Sequence, residues 1–368
     1  MQIAVIGTRG FPGVQGGVEK HCESLYSVIG GIHPCSQIVV YRRRPYVQEI
    51  SAENKYSNIK FVDLWAKKNK YCETILHSLI ATFCCAVHRP DIVHVHNIGP
   101  ALVLPFLKLL NIRTVVTYHS DNYNHDKWGM VAKKTLRVGE FFVRKLSDEV
   151  ITVSQNQLKK VNSDNATFIP NGVELPNVSK ADDYIRKMGL ESVGYILAVA
   201  RFAPEKGLAL LVDAFQRLDT NLKLVIAGDS DHESTYSLKL RRMIEADDRI
   251  IHTGYITGNE LNQVFSHARL FVLPSFHEGL PIALLEAMSY GLPVLVSDIP
   301  ANIEVDLPAE RYFKCGDVND LVKKLDLLID IPLTTSQSRD LKIQVAQKYN
   351  WLRIAEKTMA VYEKALAS

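Results

Sequence analysis

Short apolar runs alternate with helix-length amphipathic segments along this chain, and the alternation starts twice. The first series reads as strands at Ile3–Ile6, Ser36–Tyr41, Ile92–His96, Thr114–Tyr118 and Glu149–Val153, with helical patterns at Gly17–Ile29, Tyr71–Val87, Ala101–Leu110, Gly129–Lys145 and Gln155–Val161. The second begins at strand Tyr195–Ala200 and runs through helix Leu208–Leu218, strand Leu222–Ala227, helix Glu233–Asp247, strand Ile250–His252 and helix Gly258–Ala268. Continuous apolar strands are those buried on both faces, and parallel strands need a crossover of helical length between them. Two such series predict an α/β chain with two doubly wound parallel sheets. A length of 368 residues suits two domains, and 47% apolar residues suffice for two cores. The boundary is expected in the polar stretch Pro170–Glu191, giving a first domain over 1–175 and a second over 176–350. The last helical pattern, Trp351–Ala367, lies in a segment (351–368) expected to pack back on the first domain.

Several classes are excluded at this level. No apolar run reaches the length of a membrane span; Ala101–Leu110 is too short, and Ile75–Val87 carries polar residues. The opening Met1-Gln-Ile-Ala-Val-Ile-Gly7 reads as a first strand and lacks the regions of a signal peptide. Six cysteines show neither CxxC nor zinc spacing, so a reduced, cytoplasmic protein is expected. The net charge of +3 is uneven: residues 1–175 hold 21 Lys+Arg against 14 Asp+Glu, a balance of +7, and the remainder 22 against 26, a balance of −4. Arg42-Arg43-Arg44 and Lys67-Lys68-Asn69-Lys70 are the local concentrations. A basic first half fits an anionic lipid surface or an anionic substrate, and equally fits ordinary surface variation. No nucleic-acid motif accompanies it.

In open parallel sheets, ligands bind beyond the carboxyl ends of the strands. Three loops there carry chemistry. The first, Gly7-Thr-Arg-Gly10-Phe-Pro-Gly13-Val-Gln-Gly16-Gly17, lets backbone N–H groups approach an anion, although its spacing is not a dinucleotide fingerprint. The second, Ala200-Arg201-Phe-Ala-Pro-Glu205-Lys206-Gly207, sets an arginine and a lysine before a helix, a combination suited to a diphosphate. A plain surface salt bridge, such as Glu205 with Lys206, fits that loop about as well.

The third loop belongs to a strand–turn–helix–strand unit. Leu270–Leu273 is the strand, Gly279 permits a turn, and Pro281 suits the first helical position. Ile282–Tyr290 continues the helix, Gly291 fits beyond its end, and Pro293–Ser297 begins the next strand. Glu278 thus precedes a helix N-terminus, and Glu286 stands roughly 7–8 Å along the same helix. A helix N-terminus attracts anions, so the two glutamates flank a phosphate site and do not form an acid/base couple of the hydrolase kind. Helical glutamates at this spacing are usually solvated; the strand and turn before them point to a ligand.

Other residues carry less. A strand-end histidine is more often structural, and His94 and His96 with His119 lack the carboxylates and the HExxH pattern that would favour a metal. Asp229-Ser230-Asp231 resembles an acidic metal motif of some sugar-nucleotide enzymes, but reads better as a loop or a cap for the next helix.

Taken together, Arg201-x4-Lys206-Gly207, Glu278-x7-Glu286 and Gly7-Thr-Arg-Gly10-Phe-Pro-x3-Gly16-Gly17-Val-Glu19 resemble the retaining glycosyltransferases of family 4. The resemblance covers nearly the whole chain, including Ile169-Pro-Asn-Gly172-Val173, and the N-terminal loop is similar to the subset that builds bacterial surface polysaccharides. It implies the GT-B architecture, two Rossmann-like domains facing across a cleft. It also implies roles. Arg201 and Lys206 match the pair that neutralises the donor diphosphate. Glu286 matches the glutamate on the ribose hydroxyls. Glu278 matches the one near the donor sugar, either positioning its hydroxyls or acting electrostatically. Gly279 and Leu280 would offer backbone contacts, Gly16 and Gly17 would close on the diphosphate, and Gly254 and Tyr255 would lie by the base. His119 matches a histidine that contacts the transferred sugar.

The expected activity is a metal-independent hexosyl transfer from a nucleotide-diphosphate sugar, with no cofactor. The acceptor would be a glycan or lipid-linked glycan, in surface polysaccharide synthesis. The protein would be cytoplasmic, with peripheral contact to an anionic inner membrane face suggested by the basic first half and the stretch Trp65–Val87. Two alternatives stay open: a nucleotide-sugar epimerase of the same architecture, and a non-catalytic two-lobed sugar-binding protein.

Overall fold

The computed structural model describes residues 1–47, 56, 58–69, 72–120 and 129–368. Lys70 of the basic cluster and Tyr71 at the start of the second helical pattern lie outside the described residues. The chain divides into two units, Met1–Gly172 with Trp351–Ser368, and Val173–Asn350.

The first unit runs β1 (Gln2–Ile6), α1 (Gly17–Ile32), β2 (Gln37–Arg43), β3 (Ile59–Leu64), α2 (Glu73–His88), β4 (Ile92–His96), α3 (Leu104–Leu109), β5 (Arg113–Tyr118), α4 (Met130–Leu146), β6 (Glu149–Thr152), α5 (Gln155–Val161) and β7 (Ala166–Phe168). Among the described residues its strands form a parallel sheet ordered β3-β2-β1-β4-β5-β6-β7. Alternate residues of β1 face opposite sides, as strand geometry requires. Ile3 and Val5 pack with Leu25, Tyr26 and Ile29 of α1. Ala4 and Ile6 pack with Ala81 and Cys85 of α2, Leu104 and Leu107 of α3, and Val143 of α4.

The second unit runs α6 (Asp183–Lys187), β8 (Tyr195–Val199), α7 (Leu208–Gln216), β9 (Lys223–Ala227), α8 (Thr235–Glu245), β10 (Ile250–Gly254), α9 (Gly258–Ser266), β11 (Leu270–Leu273), α10 (Ile282–Ser289), β12 (Val294–Ser297), α11 (Pro300–Ile303), β13 (Tyr312–Phe313), α12 (Val318–Leu328) and α13 (Thr335–Lys348). Its parallel sheet is ordered β10-β9-β8-β11-β12-β13. The last helix, α14 (Trp351–Ala367), packs on α1 in the first unit, placing Ile354, Ala355 and Tyr362 in the same core as Tyr26.

Several elements differ from the sequence reading. Ala101–Leu110 is not one helix: a 3-10 turn at Pro100–Val103 leads into α3, with a proline near the start of each. Proline tolerates the first helical turn but cannot donate within a helix. β3 escapes pattern reading because, among the described residues, it is an edge strand paired with β2, and its Lys60 and Asp63 interrupt the apolar run. α13 escapes because Val345 is its one fully buried residue, so it shows almost no apolar stripe. The basic run Arg42-Arg43-Arg44 is not a surface patch. Arg42 pairs with Asp63 at 2.6 Å and Arg43 with Glu73 at 2.5 Å, and both arginines are buried. Among the described residues, no helix is long and apolar enough to cross a membrane.

Candidate active site

In the second unit β8 lies between β9 and β11, so the connections leaving β8 and β11 depart to opposite sides. Such a reversal opens a crevice at the carboxyl edge of a parallel sheet, where these folds take ligands. The loop after β8 carries Arg201 and Lys206; the loop after β11 carries Glu278. The structure brings two of these together: Lys206 Nζ lies 2.7 Å from Glu278 Oε1. Ser275 Oγ donates to the same carboxylate oxygen at 2.8 Å. Ser297 Oγ, at the end of β12, in turn donates to the Ser275 carbonyl at 2.5 Å. The pair is sheltered, with side chains 20% and 9% exposed. Its partner is therefore Glu278 and not the sequence neighbour Glu205, whose carbonyl accepts from Phe276 N–H at 2.9 Å.

Gly207 makes this approach possible. Its φ is +65°, and a Cβ there would stand 2.0 Å from the Pro274 carbonyl oxygen. Only glycine fits both the left-handed backbone and the contact. Gly207 also leads directly into α7, and Pro281 into α10, so two helix N-termini rise from the loops that carry the charged pair.

Arg201 is held differently. Its guanidinium bonds Asp231 from the loop after β9, while Asp229 takes Arg241. The stretch Asp229–Asp231 thus anchors two arginines and does not cap α8. That cap is Ser234, whose hydroxyl accepts from Ser237 N–H at 3.1 Å in a capping box.

Glu286 lies in the second turn of α10 and is half-buried; Gly279 and Leu280 are buried just before that helix. Gly254 ends β10 with φ +72°, and its carbonyl accepts from Gly228 N–H at 2.8 Å. Tyr255 follows it, 43% exposed. Ser275, which holds Glu278, and the pairing of Asp231 with Arg201 escaped the sequence reading. Their signal was only their place in loops at strand ends.

The first unit has its own reversal, at β1 between β2 and β4. The loop after β1 is drawn together by Arg9. Its Nη2 donates to the Gln15 carbonyl at 2.5 Å and to Glu19 Oε2 at 3.2 Å, and its backbone N–H reaches Glu19 Oε1 at 3.1 Å. Gly16 has φ +148°, and a Cβ there would collide with Glu19 Oε2 at 2.1 Å. Gly17, the first residue of α1, faces open space.

His119 follows β5 and joins a buried network. His119 Nε2 lies 2.9 Å from His96 Nδ1, and His96 Nε2 lies 2.7 Å from Tyr26 OH. Tyr26 OH is 2.8 Å from His94 Nδ1, which also lies 2.6 Å from Tyr362 OH. His94 Nε2 is 2.7 Å from Thr117 Oγ1, and His21 Nδ1 is 2.9 Å from Asn171 Oδ1. Burial disfavours the charged imidazoles, lowering His21 to about 4 and His94 to about 3, with His96 and His119 also well below the usual value. Nearby histidines add to the effect at His94, His96 and His119.

The sequence grouped His94 and His96 with His119. In the structure the ring nitrogens within 4.8 Å of one another belong to His21, His96 and His119, the one such group of potential metal ligands among the described residues. His94 is taken up by tyrosines and Thr117, while His96 and His119 hydrogen-bond each other. The geometry reads as a hydrogen-bonded core network.

Residues 37–176 match a family model described as Glycosyltransferase Family 4, and residues 181–347 match one described as Glycosyl transferases group 1. An uncharacterized glycosyltransferase of Methanocaldococcus jannaschii is 26% identical over 401 aligned positions, covering 100% of this chain and 99% of the relative. The UDP-Gal:alpha-D-GlcNAc-diphosphoundecaprenol alpha-1,3-galactosyltransferase of Escherichia coli is 24% identical over 292 positions, covering 74% of this chain and 75% of that enzyme. Among solved structures, sucrose-phosphate synthase from Thermosynechococcus elongatus superposes with a TM-score of 0.83 at 22% identity, covering 100% and 99% of the two chains. HepE of Anabaena, in complex with UDP-glucose, superposes with a TM-score of 0.78 at 15% identity, covering 99% of each. These likenesses show the fold, two Rossmann-like parallel-sheet units of the GT-B type.

Proposed function

The chain belongs to the glycosyltransferases, with a family 4 segment followed by a group 1 segment, and on that premise we propose that it is a retaining enzyme using a nucleotide-diphosphate sugar. The sugar goes to a glycan or lipid-linked glycan acceptor in surface polysaccharide synthesis. One observation carries the donor site: Lys206 meets Glu278 where the loops after β8 and β11 converge. That contact brings a cation and a carboxylate together in loops that lead into two helix N-termini.

The chemistry follows from charge. Breaking the bond from sugar to diphosphate leaves negative charge on the leaving group. Lys206, Arg201 and the amides at the starts of α7 and α10 stabilise that charge in place. Glu278, already held by Ser275, orients Lys206 and receives the donor sugar's hydroxyls or its developing positive charge. Glu286 binds the ribose hydroxyls, with Gly279 and Leu280 giving backbone contacts and Gly254 with Tyr255 lining the base. The family resemblance adds Gly16 and Gly17, whose amides would meet the diphosphate, and neutral His119, which would hydrogen-bond the transferred sugar. The leaving phosphate takes the acceptor's proton on the same face, so neither a protein base nor a metal is needed.

The Escherichia coli relative's diphosphoundecaprenol substrate supports a lipid-linked acceptor, and with it a place at the cytoplasmic membrane face. The HepE complexes make UDP-sugars the first donors to try. The test is transfer of radiolabelled sugar from a panel of nucleotide sugars, preceded by a thermal-shift screen of nucleoside diphosphates. Near-normal transfer by Lys206→Ala or Glu286→Ala would reject the donor site. Epimerised sugar recovered without any transfer would favour an epimerase, and stabilisation by free sugars alone would favour a binding protein.

A further inference from the structure

The helices α2, α3 and α4 cover one face of the first sheet and touch one another: α3 packs on both α2 and α4, and the 3-10 turn at Pro100–Val103 packs on all three. Their outward residues have an unusual composition. On α2 the exposed residues are Leu79, Phe83, Val87 and His88, the first three spaced by four along one stripe. On α3 they are Phe106, Lys108 and Leu109. On α4 they alternate between apolar Met130, Val131, Val138 and Phe141 and cationic Lys134, Arg137, Arg144 and Lys145.

No carboxylate is exposed on these three helices. Their two glutamates point elsewhere: Glu73 is buried against Arg43 and Tyr46, and Glu140 accepts from Tyr118 OH at 3.2 Å. Yet several apolar side chains stand far out, with Leu109 85%, Val131 80%, Met130 79% and Phe83 71% exposed. Large apolar side chains exposed in this number on helices that touch one another mark an interaction surface.

We infer that the outer face of α2, α3 and α4 is a docking surface for an anionic lipid bilayer. Large apolar side chains enter the headgroup–acyl boundary, and Lys134, Arg137, Arg144 and Lys145 meet lipid phosphates. This pairing of an apolar row with cations and no acids is the composition of an interfacial amphipathic helix. Charge decides against a second copy of this chain. A two-fold interface through the same face would set the cations of one copy against those of the other. A soluble polyanion would leave the apolar residues exposed to water. The surface deepens the peripheral membrane placement proposed above. It keeps the exposed Leu79, Phe83 and Val87 from the Trp65–Val87 stretch, adds α3 and α4, and leaves out the buried Arg42 and Arg43. None of its residues is among those proposed for the donor site.

The test is co-sedimentation of the full chain with vesicles of phosphatidylcholine alone and with about 30% phosphatidylglycerol, at roughly 0.1 M salt. Two double variants accompany it, Leu109→Glu/Val131→Glu and Arg144→Glu/Lys145→Glu, all at exposed positions. Wild type is expected to sediment with the anionic vesicles and not with the neutral ones, and each variant to bind about tenfold or more weakly. The thermal shift given by nucleoside diphosphates is expected to stay the same in both variants. That readout separates failure of this surface from failure of the donor site. Wild type remaining in the supernatant, equal binding to neutral vesicles, or wild-type binding by both variants would overturn the inference. A wild-type dimer that Leu109→Glu/Val131→Glu splits, without vesicle binding, would assign the face to self-association.

Discussion

Lys206 and Glu278 stand 72 residues apart in the chain and 2.7 Å apart in the fold, joined where two loops leave neighbouring strands. In the proposed reaction Lys206 faces charge that grows on the leaving diphosphate. Removing one such donor typically costs about 10²–10³-fold in rate. Lys206→Ala is therefore expected to lower kcat by that range while the protein stays folded. Steady-state kinetics with a cognate donor, alongside circular dichroism, checks this. Glu278→Gln, which keeps the shape and removes the charge, should leave more activity than Glu278→Ala.

Glu286 is half-buried within α10 and away from the loop contact. If it binds ribose hydroxyls, Glu286→Ala removes charged hydrogen bonds worth about 1.5–3 kcal/mol. The expected outcome is a donor affinity roughly 10–150-fold weaker, with unfolding little changed. Calorimetric titration with the nucleoside diphosphate measures it, and an unaltered dissociation constant would remove Glu286 from the site.

Gly207 tests the architecture and not the chemistry. With φ at +65° and the Pro274 carbonyl 2.0 Å from any added Cβ, Gly207→Ala must shift one loop off the other. A destabilisation of about 1–3 kcal/mol is expected, together with activity loss, because Lys206 would move relative to Glu278. Urea unfolding gives the first quantity. A variant as stable and active as wild type would show that the loops do not need this contact.

The buried histidines predict how the protein responds to acid. Their pKa values lie below those of the unfolded chain, so protons bind more tightly to the unfolded state at acid pH. Stability should be full above about pH 6.5, the unfolded imidazole value. It should decline as pH falls, with His21 taking a proton at about 4 and His94 at about 3. Melting temperatures recorded over this range should show the fall, and His94→Gln, which removes one titrating group, should flatten it. An unchanged melting temperature down to pH 4.5 would contradict the buried neutral network.

Metal removal probes the same cluster. His21, His96 and His119 bring their nitrogens within 4.8 Å, while the proposed chemistry needs no ion. Transfer should change less than about twofold after dialysis against a chelator, a factor small beside that of losing a catalytic group. Loss of activity restored by a divalent ion would reverse that assignment.

Much of the fold was legible because burial on both faces leaves an apolar signature. β4 and β11 were readable to the residue. Edge strand β3 and the polar helix α13 were not, since each shows the core only part of its surface. The charged residues of the donor loop were visible as well, from glycine turns at strand ends. Their partners were not: the sequence allowed Lys206 to pair with Glu205, and left Asp231 in a loop or a cap.

The sequence by itself determined the two α/β series, the loops that bear charge, and the likeness of Arg201, Lys206, Glu278 and Glu286 to a glycosyltransferase donor site. Those features depend on local periodicity and turn chemistry, which a chain carries within a few tens of residues. Tertiary structure decided which charges meet. It buried Arg42 and Arg43 against Asp63 and Glu73, exchanged His94 for His21 beside His119, and left a carboxylate-free face on α2, α3 and α4. Pairing and exposure depend on strand order and helix packing, which bring together residues far apart in the chain and which no local pattern encodes.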